Sequence, residues 1–333
     1  MIIHQTSARR HLLFGLLLFT GLTYGQGAFG LDKDPQKKSA LGSSELTISP
    51  FVQGTLLIPE AKDKPNLVLI IPGSGPTDRN GNQPMMNNNA LKFLAQGLFE
   101  RGIATFRYDK RVIPLIRQGN FQEQDVRFND FIDDAKQVLE YFKSSVAFNK
   151  IFIAGHSQGS LVGMIAAEHG ADGFISIAGA GQSIDHVVLD QLALQLPSAV
   201  PGAAAAFKTL RETGRVNDYP QELSTIFRPS LQAFMHEWMR YDPAEILGAL
   251  KIPALIINGT SDLQVSEQEA QLLKKGAPDA DFSLILNMNH VLKIIDEKGL
   301  ANGKSYNDPN LPVAQELIDN ITIFVNKNST KAP

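Results

Sequence analysis

The stretch Lys150-Ile-Phe-Ile-Ala-Gly-His-Ser-Gln-Gly-Ser-Leu161 decides how this chain is read. Ile151, Phe152, Ile153 and Ala154 carry no charge and no proline, and predict a buried strand. They run straight into Gly155-His156-Ser157-Gln158-Gly159. Behind these, Ser160, Leu161, Val162, Met164, Ile165, Ala166 and Ala167 predict a largely buried helix. Gly-x-Ser-x-Gly between a strand and a helix is the nucleophile-elbow pattern. Three fixed positions are a weak signal alone; the strand before and the helix after supply the context. The turn is so tight that side chains at the two glycine positions would meet neighbouring backbone. The serine between them is held out where a base can reach its hydroxyl. A competing reading is a glycine-rich turn that binds a phosphate at the helix start. The elbow instead predicts a reaction class, acyl transfer through a serine ester.

Working outward, apolar strands alternate with helical patterns. Asn66 to Ile71 is a continuous apolar strand ending in Pro72-Gly73-Ser74-Gly75-Pro76. Ala90 to Arg101 is helical, Ile103 to Tyr108 is a strand, and Phe128 to Phe142 places apolar residues at amphipathic-helix spacing. Strands follow at Gly173 to Ala178, Ile252 to Asn258 and Phe282 to Leu286, and Val313 to Val325 marks a last helix. Glu45 to Pro59 alternates and predicts early antiparallel strands. This alternation predicts an α/β fold with a mostly parallel sheet covered on both faces. Gln182 to Leu250 interrupts it with helical patterns alone and is read as a helical cap inserted between two core strands. The expected organisation is therefore a signal peptide at 1–30, an exposed leader at 31–44, core at 45–181, cap at 182–250 and core again at 251–333.

The expected signal rests on Arg9 and Arg10, the apolar run Leu12 to Phe19, and the small residues Gly25, Gly27, Ala28 and Gly30. It predicts a secreted or periplasmic protein, with an uncleaved anchor as the alternative. The 333 residues hold no cysteine, which excludes disulfides and thiolate catalysis. A formal net charge of -3 and the lack of a basic stripe argue against nucleic acid as a partner. No compact set of metal ligands is visible, and no cofactor is implied.

A serine hydroxyl needs a general base within hydrogen-bond reach and an acid to orient that base. After an elbow of this kind the chain order is nucleophile, acid, histidine. His169 ends the elbow helix, and His186 and His236 fall in the insertion. His290 follows the strand Phe282 to Leu286, at the carboxyl edge of the sheet where ligands collect, and is the expected base. Asp262, just past the strand Ile252 to Asn258, is the expected acid. Its competing role is a cap for the helix starting near Ser266; Asp242 and Asp281 are weaker alternatives. Two backbone amides should bind the oxyanion: that of Gln158, and one from the loop after Ile71, with Ser74 preferred over Gly73. In the insertion, Phe234, Met235 and Trp238 share a face that is a candidate lining for an acyl pocket; packing within the cap accounts for the same stripe.

These residues resemble the α/β-hydrolase superfamily over nearly all of 45–326. Pro72-Gly-Ser-Gly-Pro-Thr-Asp-Arg-Asn-Gly-Asn82 is similar to the oxyanion loop of bacterial esterases related to the serine aminopeptidase and dienelactone hydrolase branches. The resemblance implies that Asp78 and Arg79 brace that loop or line its mouth beside Gly73, in contact with substrate. Arg107-Tyr-Asp-Lys-Arg111 resembles the strand-end motif that follows in the family. There the family continues Gly-x-Gly-x-Ser, whereas this chain has Val112-Ile-Pro-Leu-Ile116; Asn80 also replaces an acidic residue. The expected function is a serine hydrolase acting on small-molecule carboxylic esters of short or medium acyl chains. A serine aminopeptidase or thioesterase would use the same triad, and a non-catalytic binding protein could keep the fold.

Overall fold

The computed structural model describes residues 42–60, 64–296 and 299–329. The expected signal at 1–30 lies outside the described residues, as does nearly all of the expected leader. No helix among the described residues is long and apolar enough to cross a membrane.

Among the described residues eight strands form one sheet: β1 Ser43–Ser49, β2 Val52–Leu57, β3 Leu67–Ile71, β4 Ala104–Tyr108, β5 Ile151–His156, β6 Gly173–Ile177, β7 Ala254–Gly259 and β8 Asp281–Ile285. The order across the sheet is β1-β2-β4-β3-β5-β6-β7-β8. β1 and β2 pair antiparallel, β2 joins β4 antiparallel, and all later pairings are parallel. The first strand starts at Ser43, two residues before the expected core boundary, because Ser43 already pairs with Leu57.

The helices are α1 Ala90–Glu100, α2 Val112–Arg117, α3 Phe128–Lys143, α4 Gln158–Ala167, α5 Ile184–Gln195, α6 Val200–Thr213, α7 Ser224–Phe227, α8 Pro229–Trp238, α9 Pro243–Ala249, α10 Glu267–Gly276, α11 Leu300–Ser305 and α12 Gln315–Lys327. α5 to α9 fill the interval between β6 and β7 without a strand. The alternation of side chains along each strand divides the core in two. Leu67, Leu69 and Ile71 of β3 face a cluster with Phe128 and Phe131 of α3 and Leu161 of α4. Val68 and Ile70 face the other, built with Leu91 and Leu94 of α1 and Leu317 and Ile321 of α12. Because both faces are covered, the central strands are buried along almost their whole length, and only Ser176 and the terminal His156 among their side chains are polar.

The chain winds from β3 to β4 on one side, then returns to lay β5 on the other side of β3. Loops leaving β3 and β5 therefore diverge at a topological switch point, the place where open α/β sheets bind ligands. The loop holding Gly73 and Ser74 leaves β3 there, and the elbow leaves β5.

Candidate active site

Ser157 has φ 55° and ψ -124° at the start of α4. A non-glycine residue held there costs on the order of 1–3 kcal/mol, so surrounding contacts must enforce it. Its amide donates to the Ile177 carbonyl at 2.9 Å, and its carbonyl accepts from the Ser160 amide at 2.9 Å. A Cβ at Gly155 would stand 2.2 Å from the Gly159 carbonyl oxygen, and one at Gly159 would stand 2.5 Å from that of Ile71. The two glycines thus let α4 start directly against the exit of β3.

Three side chains distant in sequence meet at this turn. His290 Nε2 lies 3.1 Å from Ser157 Oγ, and His290 Nδ1 lies 2.8 Å from Asp262 Oδ2. The Asp262 side chain is fully buried. Its Oδ1 accepts the amides of Gln264 and Val265 at 2.8 and 2.9 Å, so one carboxylate shapes the loop after β7 and faces the imidazole. The competing capping role is accordingly part of the same geometry. Asp242 caps α9 and Asp281 pairs with Lys327, both away from His290. His186 is exposed on α5, and the His236 ring meets the Leu210 carbonyl inside the insertion.

The Gln158 amide is the first of α4, where intrahelical acceptors are lacking. Gly73 lies against the elbow serine: a Cβ built on it would be 3.1 Å from Ser157 Cβ. The carbonyl of Ser74 accepts from Thr77 Oγ1 at 2.7 Å and from Gln83 Nε2 at 2.9 Å, fixing the loop beside it.

Asp78 and Arg79 brace this loop; their polar groups are engaged within the protein. Asp78 Oδ1 accepts the amides of Asn80 and Asn82 at 2.8 and 2.9 Å. The Arg79 guanidinium forks onto Asp109, with Nε–Oδ1 at 3.0 Å and Nη2–Oδ2 at 2.8 Å, and also pairs with Glu45. Burial works to raise the Asp109 pKa, but the Arg79 hydrogen bonds and charge outweigh it and hold the carboxyl below its ordinary range. Trp238, a candidate lining of an acyl pocket with packing as the alternative, makes packing contacts here. Its ring stacks on Phe128 of α3 at 5.4 Å and meets Phe234 edge-on at 5.8 Å.

Two further residues bear on the site and were missed in the sequence. His156 Nε2 lies 2.8 Å from the His290 carbonyl, which can only accept, so Nε2 carries the proton. Burial, with the neighbouring His290 ring, pushes the His156 pKa down to about 3. Lys110 Nζ donates to the Gly73 carbonyl at 3.0 Å and to Gln158 Oε1 at 2.6 Å. The available signal was position: both follow apolar strand residues at the sheet's carboxyl edge.

A mostly parallel sheet that presents a serine on a strand-to-helix elbow, in reach of a histidine and a carboxylate, defines an α/β-hydrolase. The family described as serine aminopeptidase, S33, matches residues 88–293, and the chain belongs to it. The esterase EstD of Thermotoga maritima is 25% identical over 243 residues, covering 72% of this chain; the chain spans 57% of that relative's length. Est1E from Butyrivibrio proteoclasticus superimposes with a TM-score of 0.56 at 17% identity, covering 87% of this chain and all of its own. A hydrolase structure from Agrobacterium vitis gives 0.51 at 16% identity, covering 86% and 98%. Those two likenesses speak to the fold.

Proposed function

We propose that this hydrolase cleaves carboxylic esters through an acyl-enzyme on Ser157. The observation that carries the reading is the continuous line Ser157 Oγ, His290 Nε2, His290 Nδ1, Asp262 Oδ2, with contacts of 3.1 and 2.8 Å. His290 takes the hydroxyl proton as Ser157 attacks the ester carbonyl. Asp262 holds the Nδ1 tautomer and stabilises the imidazolium. The Gln158 and Ser74 amides receive the oxyanion. Collapse expels the alcohol, which takes the proton from His290 Nε2. Water, deprotonated by the same nitrogen, then attacks the acyl group and releases the acid and the free serine.

The esterase relative supports an ester over a peptide. An aminopeptidase needs an acidic group to hold the substrate ammonium. Of the acids in the insertion, Glu212 and Glu222 are exposed, and Glu237 accepts the Asn129 amide at 3.2 Å. Ser157 and His290 are only 4% and 5% exposed, a narrow approach that favours short or medium acyl chains. A thioester would fit the same chemistry. Export to the periplasm or outside the cell is part of this proposal and rests on residues 1–30.

The test is a fluorophosphonate probe followed by panels of ester, thioester and aminoacyl substrates of graded length. Labelling at Ser157, with turnover strongest on esters of few carbons, is expected. Folded protein that resists labelling at Ser157 would leave a binding protein on this fold as the better reading.

A further inference from the structure

We propose that Lys110 is the positioning residue of the oxyanion pocket, its ammonium group holding both oxyanion amides in place from behind. This rests on the serine-hydrolase reading above. Lys110 follows β4, and its Nζ reaches two places at once. It donates to the Gly73 carbonyl at 3.0 Å and to the Gln158 side-chain oxygen at 2.6 Å. These are not arbitrary acceptors. The Gly73 carbonyl belongs to the peptide group whose N–H is that of Ser74. No peptide bond among the described residues is cis, so that N–H points opposite to the carbonyl and therefore away from Lys110. Gly73 itself lies against Ser157. The second acceptor sits on Gln158, whose backbone amide is the other expected donor.

One cation thus grips the loop after β3 and the first turn of α4, and fixes the gap between them. It also polarises one of the two donors. A chain running from ammonium through C=O and N–H to the developing oxyanion strengthens along its length. Such preorganised donors provide much of the acceleration in acyl transfer.

The burial of Lys110 argues that this placement has a use. The side chain is 5% exposed, and its Nζ stands 4.0 Å over the Phe131 ring. A buried ammonium is costly without a paired anion. The carboxylate facing it, Asp134 of α3, is forked onto Arg111 at 2.8 Å through both oxygens. The other titratable groups around it are Tyr108 of β4, in the same cavity lining, and His156 of β5 on the far side of Gly73. Burial pushes the Lys110 pKa down to about 7, with Asp134 acting in the opposite sense. The Gln158 Nε2, by contrast, is buried without a partner, so the lysine contact outweighs pairing of that amide. A lysine kept only to fill space would be replaced by methionine without consequence.

That replacement is the test. Lys110→Met in the full chain is compared with wild type for kcat and KM on a short p-nitrophenyl ester. The affinity of an alkylboronic acid, which adds to the serine as a tetrahedral anion, is measured alongside. The expected result is a kcat lower by about 10- to 100-fold with KM within about threefold, and boronate affinity lower by the same factor as kcat. Unchanged kcat, or a lowered kcat with boronate affinity intact, overturns the proposal. If Lys110→Met does not fold, Lys110→Leu, which likewise has no donor, takes its place under the same criteria. An active wild type with an indifferent variant defeats this inference alone. A wild type that neither turns over esters nor reacts with fluorophosphonate defeats the serine-hydrolase reading and this inference together.

Discussion

The two walls beside Ser157 are built alike and titrate differently. On the base side, His156 at the end of β5 donates to the His290 carbonyl at 2.8 Å. On the oxyanion side, Lys110 just after β4 donates to the Gly73 carbonyl at 3.0 Å. Each wall is a loop, and each takes its position from a basic side chain rooted at a strand end, half-buried in His156 and buried in Lys110. Yet burial leaves His156 neutral down to about pH 3, whereas Lys110 changes charge near pH 7. One clamp is therefore fixed over the working range and the other is adjustable.

The largest effects should come from the groups between the walls. Ser157→Ala and His290→Ala are each expected to lower ester turnover by roughly 10⁶, with circular dichroism unchanged. Asp262→Asn keeps an oxygen for the Gln264 and Val265 amides, so the fold should persist while kcat falls about 10⁴-fold. His186→Ala is the control, since that ring is exposed on α5. Turnover lost with His186 and retained without His290 would place the base in the insertion, and the two-wall comparison would collapse.

Intermediate effects separate the clamps by pH. The ordinary His value is 6.5 and the folded His156 value about 3, so between these limits the unfolded chain takes up a proton that the folded chain refuses. Stability from this group is complete above pH 6.5 and is lost as pH falls toward 3, by up to about 1.4 kcal/mol per pH unit. For Lys110 the ordinary value is 10.5 and the folded value about 7, so its window is pH 7 to 10.5, again with stability falling as pH falls. The windows do not overlap. Urea unfolding of His156→Phe should show a shallower loss than wild type from pH 6.5 to 5, and Lys110→Met a shallower loss from pH 10 to 7.5. His156→Phe should also lower kcat by about 10- to 100-fold through misplacement of His290. Parallel stability curves for wild type and variant in either window would show that the corresponding group is not buried as described.

The contrast also explains what could be read in the sequence. Ser157 was legible because the elbow is local: a strand, two glycines forced by close backbone approach, and a helix. Asp262 and His290 were legible from chain order and from their place after strands β7 and β8. The clamps were not, because their meaning is non-local. Lys110 meets Gln158 48 residues away, and His156 meets His290 134 residues away. Arg79 reads in sequence equally as a brace or as a mouth residue, because the bond that holds it reaches Asp109, 30 residues on. The departure at Val112 to Ile116 became the short helix α2, since Pro114 falls in a first turn that needs no amide donor there.

The smallest expected effect on catalysis concerns the insertion rather than the walls. Trp238 of α8 stacks on Phe128 of α3, joining the insertion to the core. An apolar stripe on a helix reads the same in sequence whether it faces a ligand or a neighbouring helix, and here α3 is the neighbour. Trp238→Leu should therefore cost roughly 2–3 kcal/mol in urea unfolding while KM for short esters stays within about twofold. The reverse pattern, a KM raised several-fold in a protein of undiminished stability, would put this ring in contact with substrate. It would also move the acyl site from the sheet's edge into the insertion.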